Sequence, residues 1–307
     1  MSKNIVFPYV TFNKFVDEPL IKKLSLFYDK ILIAEGRFSI IDEVSQKELK
    51  TEYQEFKYEK AVWDFLIENH VVSKYPSFKD ENNTTEEEKE LQEFFMNTIR
   101  NHHDNEKKKN LSDEEKKIQS LTNFYLSHDI LTRIDTLKFR KTDNLSEYFP
   151  SLRNYETLKT DSKKTQVIQF ILNEIPEPDF STPWEQIIEY RSDDNVRNKY
   201  FALINWVNKV ANSNLKLSEI KDEYDYLYSE YMKQFKIHKM KYNNSTLEVI
   251  LNTTINFIKN ISTGNYVSSF KDLFQYNIKN ANLLQEEAKL PGKEIAYIFH
   301  TKSKFEK

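Results

Sequence analysis

Residues 5–12 read IVFPYVTF and residues 30–41 read KILIAEGRFSII. Both stretches are dense in β-branched and aromatic side chains, which fit a pleated, buried surface better than a helix. Pro8 has no N–H to give to a ladder, so the first stretch is expected at a sheet edge. Between the two, Pro19 stands near the start of a short helix carrying Leu20, Ile21, Leu24 and Phe27 or Tyr28 on one face. Glu35 and Gly36 then turn residues 30–34 into a further strand at 38–41. The opening of the chain therefore reads β-α-β-β.

Working outward, residues 45–69 turn helical, with Tyr53, Phe56, Ala61, Phe65 and Leu66 among the apolar positions. Val71, Val72 and Tyr75 suggest one more short strand before Pro76. The polar run 77–84 marks a boundary, giving an N-terminal α/β lobe at 1–78 and a mainly helical lobe at 79–307. Three helix starts show the capping box, in which a hydroxyl accepts from a free amide and an acid three residues on reciprocates. They are Thr85 with Glu88, Ser112 with Glu115, and Thr182 with Glu185. The helix opened by Ser112 is expected to reach Phe139, after a loop at 104–110. Residues 140–164 read as a connection carrying a short helix.

The apolar run 167–172 suits a buried strand, and residues 294–299 suggest a closing one. Ser192, Asp193 and Asp194 break and recap a helix. Val196, Tyr200, Leu203, Val207 and Val210 then recur in steps of four and three, a core-facing stripe. Leu217, Ile220, Tyr224, Leu227 and Tyr231 form a heptad too short for a rod, which points to a helix hairpin or bundle. Further helices are expected at 247–258 and 270–287. The whole reads as an α+β protein, predominantly helical, with a small N-terminal sheet completed by 167–172 or 294–299.

Composition excludes several classes of chemistry. The 307 residues contain no cysteine, which removes disulfides, thiolate nucleophiles and zinc sites built on Cys. Gly36, Gly264 and Gly292 are the only glycines and stand far apart, so no phosphate-cradling loop is present. The net charge of -3 announces no nucleic acid at the level of the whole molecule. The first apolar run is broken by Pro8 too early for a secretion signal. No stretch reaches the ~18 apolar residues of a membrane span. A cytoplasmic protein without cofactor and without membrane contact is expected.

Candidate chemistry rests on few residues. His102, His103 and Asp104 are sequence neighbours, but neighbours on a helix point about 100° apart and chelate one ion poorly, so no metal site is assigned. His128 lies near Asp129, Arg133 and Asp135 and also on the stripe of Ile118, Leu121 and Tyr125, where it reads as a packing histidine or a general base. Asp29, Glu35 and Asp42 stand near the ends of the opening elements, where converging acids would suit a metal-dependent hydrolase or nuclease. Arg191 extends the face of Trp184, Ile187 and Ile188, so a structural ion pair or an anionic ligand is expected. Lys233, Lys236, His238, Lys239 and Lys241 interleave with Phe235 and Tyr242, a pattern that holds phosphates and stacks bases. They also lie at a helix C-terminus, where cations favour the dipole. The loop lysines 107–109 and the tail 302–307 add basic points.

Phe7-Pro8-Tyr9-Val10, residues 26–31 (LFYDKI), residues 175–178 (IPEP) and Thr182-Pro183-Trp184-Glu185 up to Arg191 resemble features of uncharacterised bacterial proteins. The resemblance covers about a third of the chain and implies an accessory protein of a mobile-element or phage-defence locus. It transfers no catalytic residue. Function is accordingly expected to be non-enzymatic, through a protein partner or a homo-oligomer. A nucleic-acid-binding component is the first alternative and a metal-dependent hydrolase or nuclease the second.

Overall fold

The computed structural model of the protein describes residues 2–7, 17–35, 54–75, 85–108, 112–151, 162–241, 286–287 and 289–306. Among these, helices dominate and one small parallel sheet lies toward the amino terminus, the α+β architecture expected. The chain divides into two compact units, Met1–Thr160 and Asp161–Lys307.

The first unit runs β1 (Ser2–Val6), α1 (Asp17–Phe27), β2 (Lys30–Ala34), α2 (Gln54–Glu68), β3 (Val72–Tyr75), α3 (Glu86–Lys108), α4 (Asp113–Thr142) and β4 (Ser146–Pro150). Its strands lie in the order β3-β2-β1-β4, every pair parallel. Val6 stands opposite both Leu32 and Pro150, and Ala34 opposite Tyr75. Successive side chains on a strand face opposite ways. Val6, Leu32, Ala34, Tyr75 and Tyr148 accordingly gather on one face against Phe139 of α4. Their neighbours Ile5, Ile31, Ile33, Val72 and Phe149 are buried on the other, where the Phe149 ring meets Tyr28 at the end of α1. Burial on both faces is what a parallel sheet requires, and it explains why ILIA is a continuous apolar run rather than an alternating one.

Three expectations change here. β1 is flanked by β2 and β4, so it is an interior strand, and Pro8 lies beyond its end. Residues 146–150 supply the fourth strand, within a stretch expected as a connection carrying a short helix, with Pro150 at its last position. The boundary expected at 78/79 falls inside the first unit, because β4 returns to pair with β1. The expected strand 38–41 lies outside the described residues.

Capping explains where the long helices begin. The Thr85–Glu88 and Ser112–Glu115 boxes both form, and α4 runs three residues beyond Phe139. Helix α3 continues through residues 104–108, where a loop was expected. His70 closes α2 with a positive φ of 58°, and the next amide bonds back to the Leu66 carbonyl.

The second unit holds α5 (Lys163–Glu174), α6 (Trp184–Ser192), α7 (Asp194–Ala211), α8 (Leu217–Lys241), a 3-10 turn (Lys293–Ile295) and α9 (Ala296–Phe305). Both strands expected here are helical. Residues 167–172 lie within α5, which Ser162 caps and which buries Val167, Ile168, Ile171 and Leu172 along one face. A short apolar run cannot by itself separate strand from buried helix, and the helix-forming flanks decide it. Residues 294–299 span the 3-10 turn and the start of α9, which continues to Phe305. Helix α6 starts after Pro183, which takes the cap position and has no side-chain acceptor, so the expected Thr182–Glu185 box is replaced; the Thr182 amide donates to the Asp179 carbonyl. Asp193 recaps α7 by accepting from the amides of Asn195 and Val196, as expected. Helix α7 packs against α5, α6, α9 and the 3-10 turn, burying Leu203, Ile204, Trp206, Val207 and Val210. Helix α8 buries Ile220, Tyr224 and Tyr231 of the heptad, in a bundle rather than a rod. The helices expected at 247–258 and 270–287 lie outside the described residues, apart from 286–287.

Candidate functional site

Among the described residues of the second unit, a buried group of ionisable side chains forms around one carboxylate oxygen. Glu287 Oε1 accepts from Tyr231 Oη at 2.6 Å, lies 2.7 Å from His300 Nε2, and stands 3.4 Å from Lys199 Nζ. Tyr231 and His300 also approach each other at 3.2 Å. The four side chains come from α7, α8, the segment before the 3-10 turn, and α9. Each is placed by its helix: Lys199 lies one turn before Leu203 of the α7 stripe, Tyr231 ends the α8 heptad, and His300 sits between the buried Ile298 and Thr301.

Electrostatics follow from burial. Burial by itself would push Glu287 up, but the His300 hydrogen bond, the attraction of His300 and Lys199, and the Tyr231 hydrogen bond outweigh it and hold the carboxyl down to about 2. Burial pushes His300 down against the Glu287 hydrogen bond, with Lys199 adding to the fall, so the ring is neutral near pH 7. Burial likewise lowers Lys199 against Glu287, and it raises the Tyr231 hydroxyl, reinforced by Glu287. Three donors converge on an anion that the chain itself supplies. The arrangement is a closed lock joining 286–305 to α7 and α8.

Around it α9 makes further polar ties. Tyr190 of α6 pairs with the Thr301 hydroxyl at 3.0 Å, and Lys302 reaches Glu174 of α5 at 2.8 Å, the acid that also accepts from Tyr224. Gly292 lets the preceding turn approach α8. Its φ is +77°, and a Cβ there would stand 2.3 Å from the Leu227 carbonyl oxygen.

The residues expected to carry chemistry are dispersed. Asp29 accepts from the Lys3 amide at 2.7 Å on the amino side of β2, whereas Glu35 follows the carboxyl end of the same strand. Six residues of extended chain keep them roughly 20 Å apart, too far for one site. Asp42 lies outside the described residues. His128 falls on α4 and His102 and His103 on α3, with their side chains outside the described set. Asp129 and Arg133 are both buried one turn apart, and Asp135 accepts from Tyr75 at 2.7 Å. Among the described residues no three His, Asp or Glu side chains converge as a metal site would.

Arg191 ends α6 half-buried, and its charge acts on the buried Tyr297 hydroxyl. Lys233 is exposed and lies 3.8 Å from Glu230, and Lys236 is exposed. Lys239 and Lys241 belong to the last turn of α8, their side chains outside the described set. Phe235 packs on Tyr231 and Phe299, at 5.9 and 4.8 Å between ring centroids. Its ring is engaged in the packing of α8 on α9.

The lock itself went unread in the sequence. Its one signal is His300 inside the apolar stretch YIFHT, and nothing local connects that ring to Glu287, Tyr231 or Lys199. Among the described residues no helix is long and apolar enough to cross a membrane. No family model, curated protein or solved structure matches this chain.

Proposed function

We propose that this chain is a non-enzymatic interaction protein, an accessory component of a bacterial system, with α8 of the second unit as its contact element. What carries the reading is the outer face of α8, where Tyr226 is 65% and Ile237 53% exposed while Ile220, Tyr224 and Tyr231 on the other side are buried. Large apolar side chains held in water on a rigid helix suit a partner surface better than a solvent face. The phage-defence or mobile-element setting follows from the resemblance of the short motifs alone. Exposed Lys233 and Lys236 favour nucleic acid as the second reading, with phosphate contact.

Native mass spectrometry of the chain purified at low salt from a bacterial host tests both. The expected result is a stoichiometric protein complex that Tyr226→Ala with Ile237→Ala disperses. A complex with nucleic acid that Lys233→Glu and Lys236→Glu abolish would replace the first reading by the second. A chain carrying neither would sink both.

A further inference from the structure

We infer that α8 pairs with α8 of a second copy of this chain, antiparallel and about a two-fold axis passing between Glu230 and Lys233. The observation is the order of residues along the outer stripe, exposed except at half-buried Glu230. Glu219, Asp222, Tyr226, Glu230, Lys233 and Ile237 recur in steps of three and four, so they share one face. That face lies roughly 140° round the helix from buried Ile220, Tyr224 and Tyr231.

Reversing the stripe against itself makes it self-complementary. Positions facing each other across the axis have numbers that sum to a constant, so Tyr226 meets Ile237 of the second copy and Glu230 meets its Lys233. Asp222 falls at the level of position 241, a lysine. The acids of the stripe, Glu219, Asp222 and Glu230, all precede its one base, Lys233, so a parallel pair would set like charges together while the antiparallel pair sets Glu230 against Lys233. An isologous contact needs this property, because each residue of the patch must find its complement in the same patch. The half-buried Glu230 and exposed Lys233 of one copy, 3.8 Å apart, then join those of the other in a ring of four alternating charges. Tyr226 and Ile237 flank the ring and supply the apolar burial that exposed charges lack.

A single helix pair of this length buries about 1,000 Å² at most, the low end for a specific contact, so a concentration-dependent dimer is expected rather than an obligate one. The inference rests on α8 being a contact element but is tested separately, on purified full-length chain without a partner.

Sedimentation equilibrium over a wide range of protein concentration reads it. The wild type is expected to dimerise. Lys233→Glu alone or Glu230→Lys alone sets like charges together at both symmetric positions and should weaken the dimer at least about tenfold. The double variant restores the complement and the dimer. Mixing the two single variants is expected to yield heterodimers in preference to either homodimer, an outcome that a fold defect would not produce. A wild-type chain that stays monomeric, a dimer indifferent to both reversals, or a double variant that stays dissociated overturns the pairing. None of these bears on a heterologous complex recovered from the host.

Discussion

Gly292→Ala is expected to unfold much of the second unit while leaving the sheet of the first intact. Two costs add. A left-handed φ of +77° costs a residue with a Cβ about 1–2 kcal/mol, and the new carbon would overlap a backbone oxygen of α8, at 2.3 Å from Leu227, which cannot rotate aside. Overpacking of that kind costs about 1–3 kcal/mol more. The sum, about 2–5 kcal/mol, is a large share of a typical domain's stability. Gly292→Asn separates the two causes, since Asn tolerates the left-handed region but carries the same Cβ. If the clash dominates, both variants fail alike in urea titrations followed by fluorescence of Trp184 and Trp206. A Gly292→Ala protein as stable as the wild type would mean that the turn does not rest on α8 as described.

The Glu287 lock carries the second large effect. Removing the carboxylate by Glu287→Leu leaves the buried Lys199 ammonium without its counter-charge, although Asn195 Oδ1 still accepts from it at 2.9 Å, and takes the acceptor away from Tyr231 and His300; breaking such a pair costs about 3–5 kcal/mol. Glu287→Gln keeps an acceptor but loses the charge, so a smaller loss is expected.

The same lock makes stability depend on pH. His300 titrates below its ordinary value in the fold, so as pH falls below about 6.5 the unfolded chain takes up a proton that the folded chain still refuses. Stability is therefore full above that range and lost on acidification. Glu287, held at about 2, adds a second loss as pH falls from its ordinary 4.5 toward that value. Lys199, also lowered, acts in the same direction at alkaline pH. Urea midpoints at pH 7.5 and 5.5 should differ in the wild type and converge in His300→Gln. An unchanged pH dependence in that variant would show that another group controls it.

Much of the helical framework is legible locally. The Ser112 and Thr85 boxes, the Asp193 cap and the α7 stripe depend on contacts within four residues, where spacing and side-chain type suffice. Residues 167–172 and 294–299 show the limit, since a six-residue run has too few periods to distinguish a strand from a helix buried along one face. The lysines at the end of α8 also stand out as a basic segment, yet only the packing of Phe235 on Phe299 shows which way its aromatic ring faces.

What the sequence by itself determined is the helical character of most of the chain, the strand-rich opening and the absence of thiol and glycine-loop chemistry, because each follows from residue type or from neighbours along the chain. Only the tertiary structure decided that the strands run parallel with β4 beside β1, and that Tyr231 and Glu287, 56 residues apart, share a hydrogen bond. Strand order and buried polar pairing are set by which surfaces exclude water together, and that depends on the whole unit rather than on any window of its sequence.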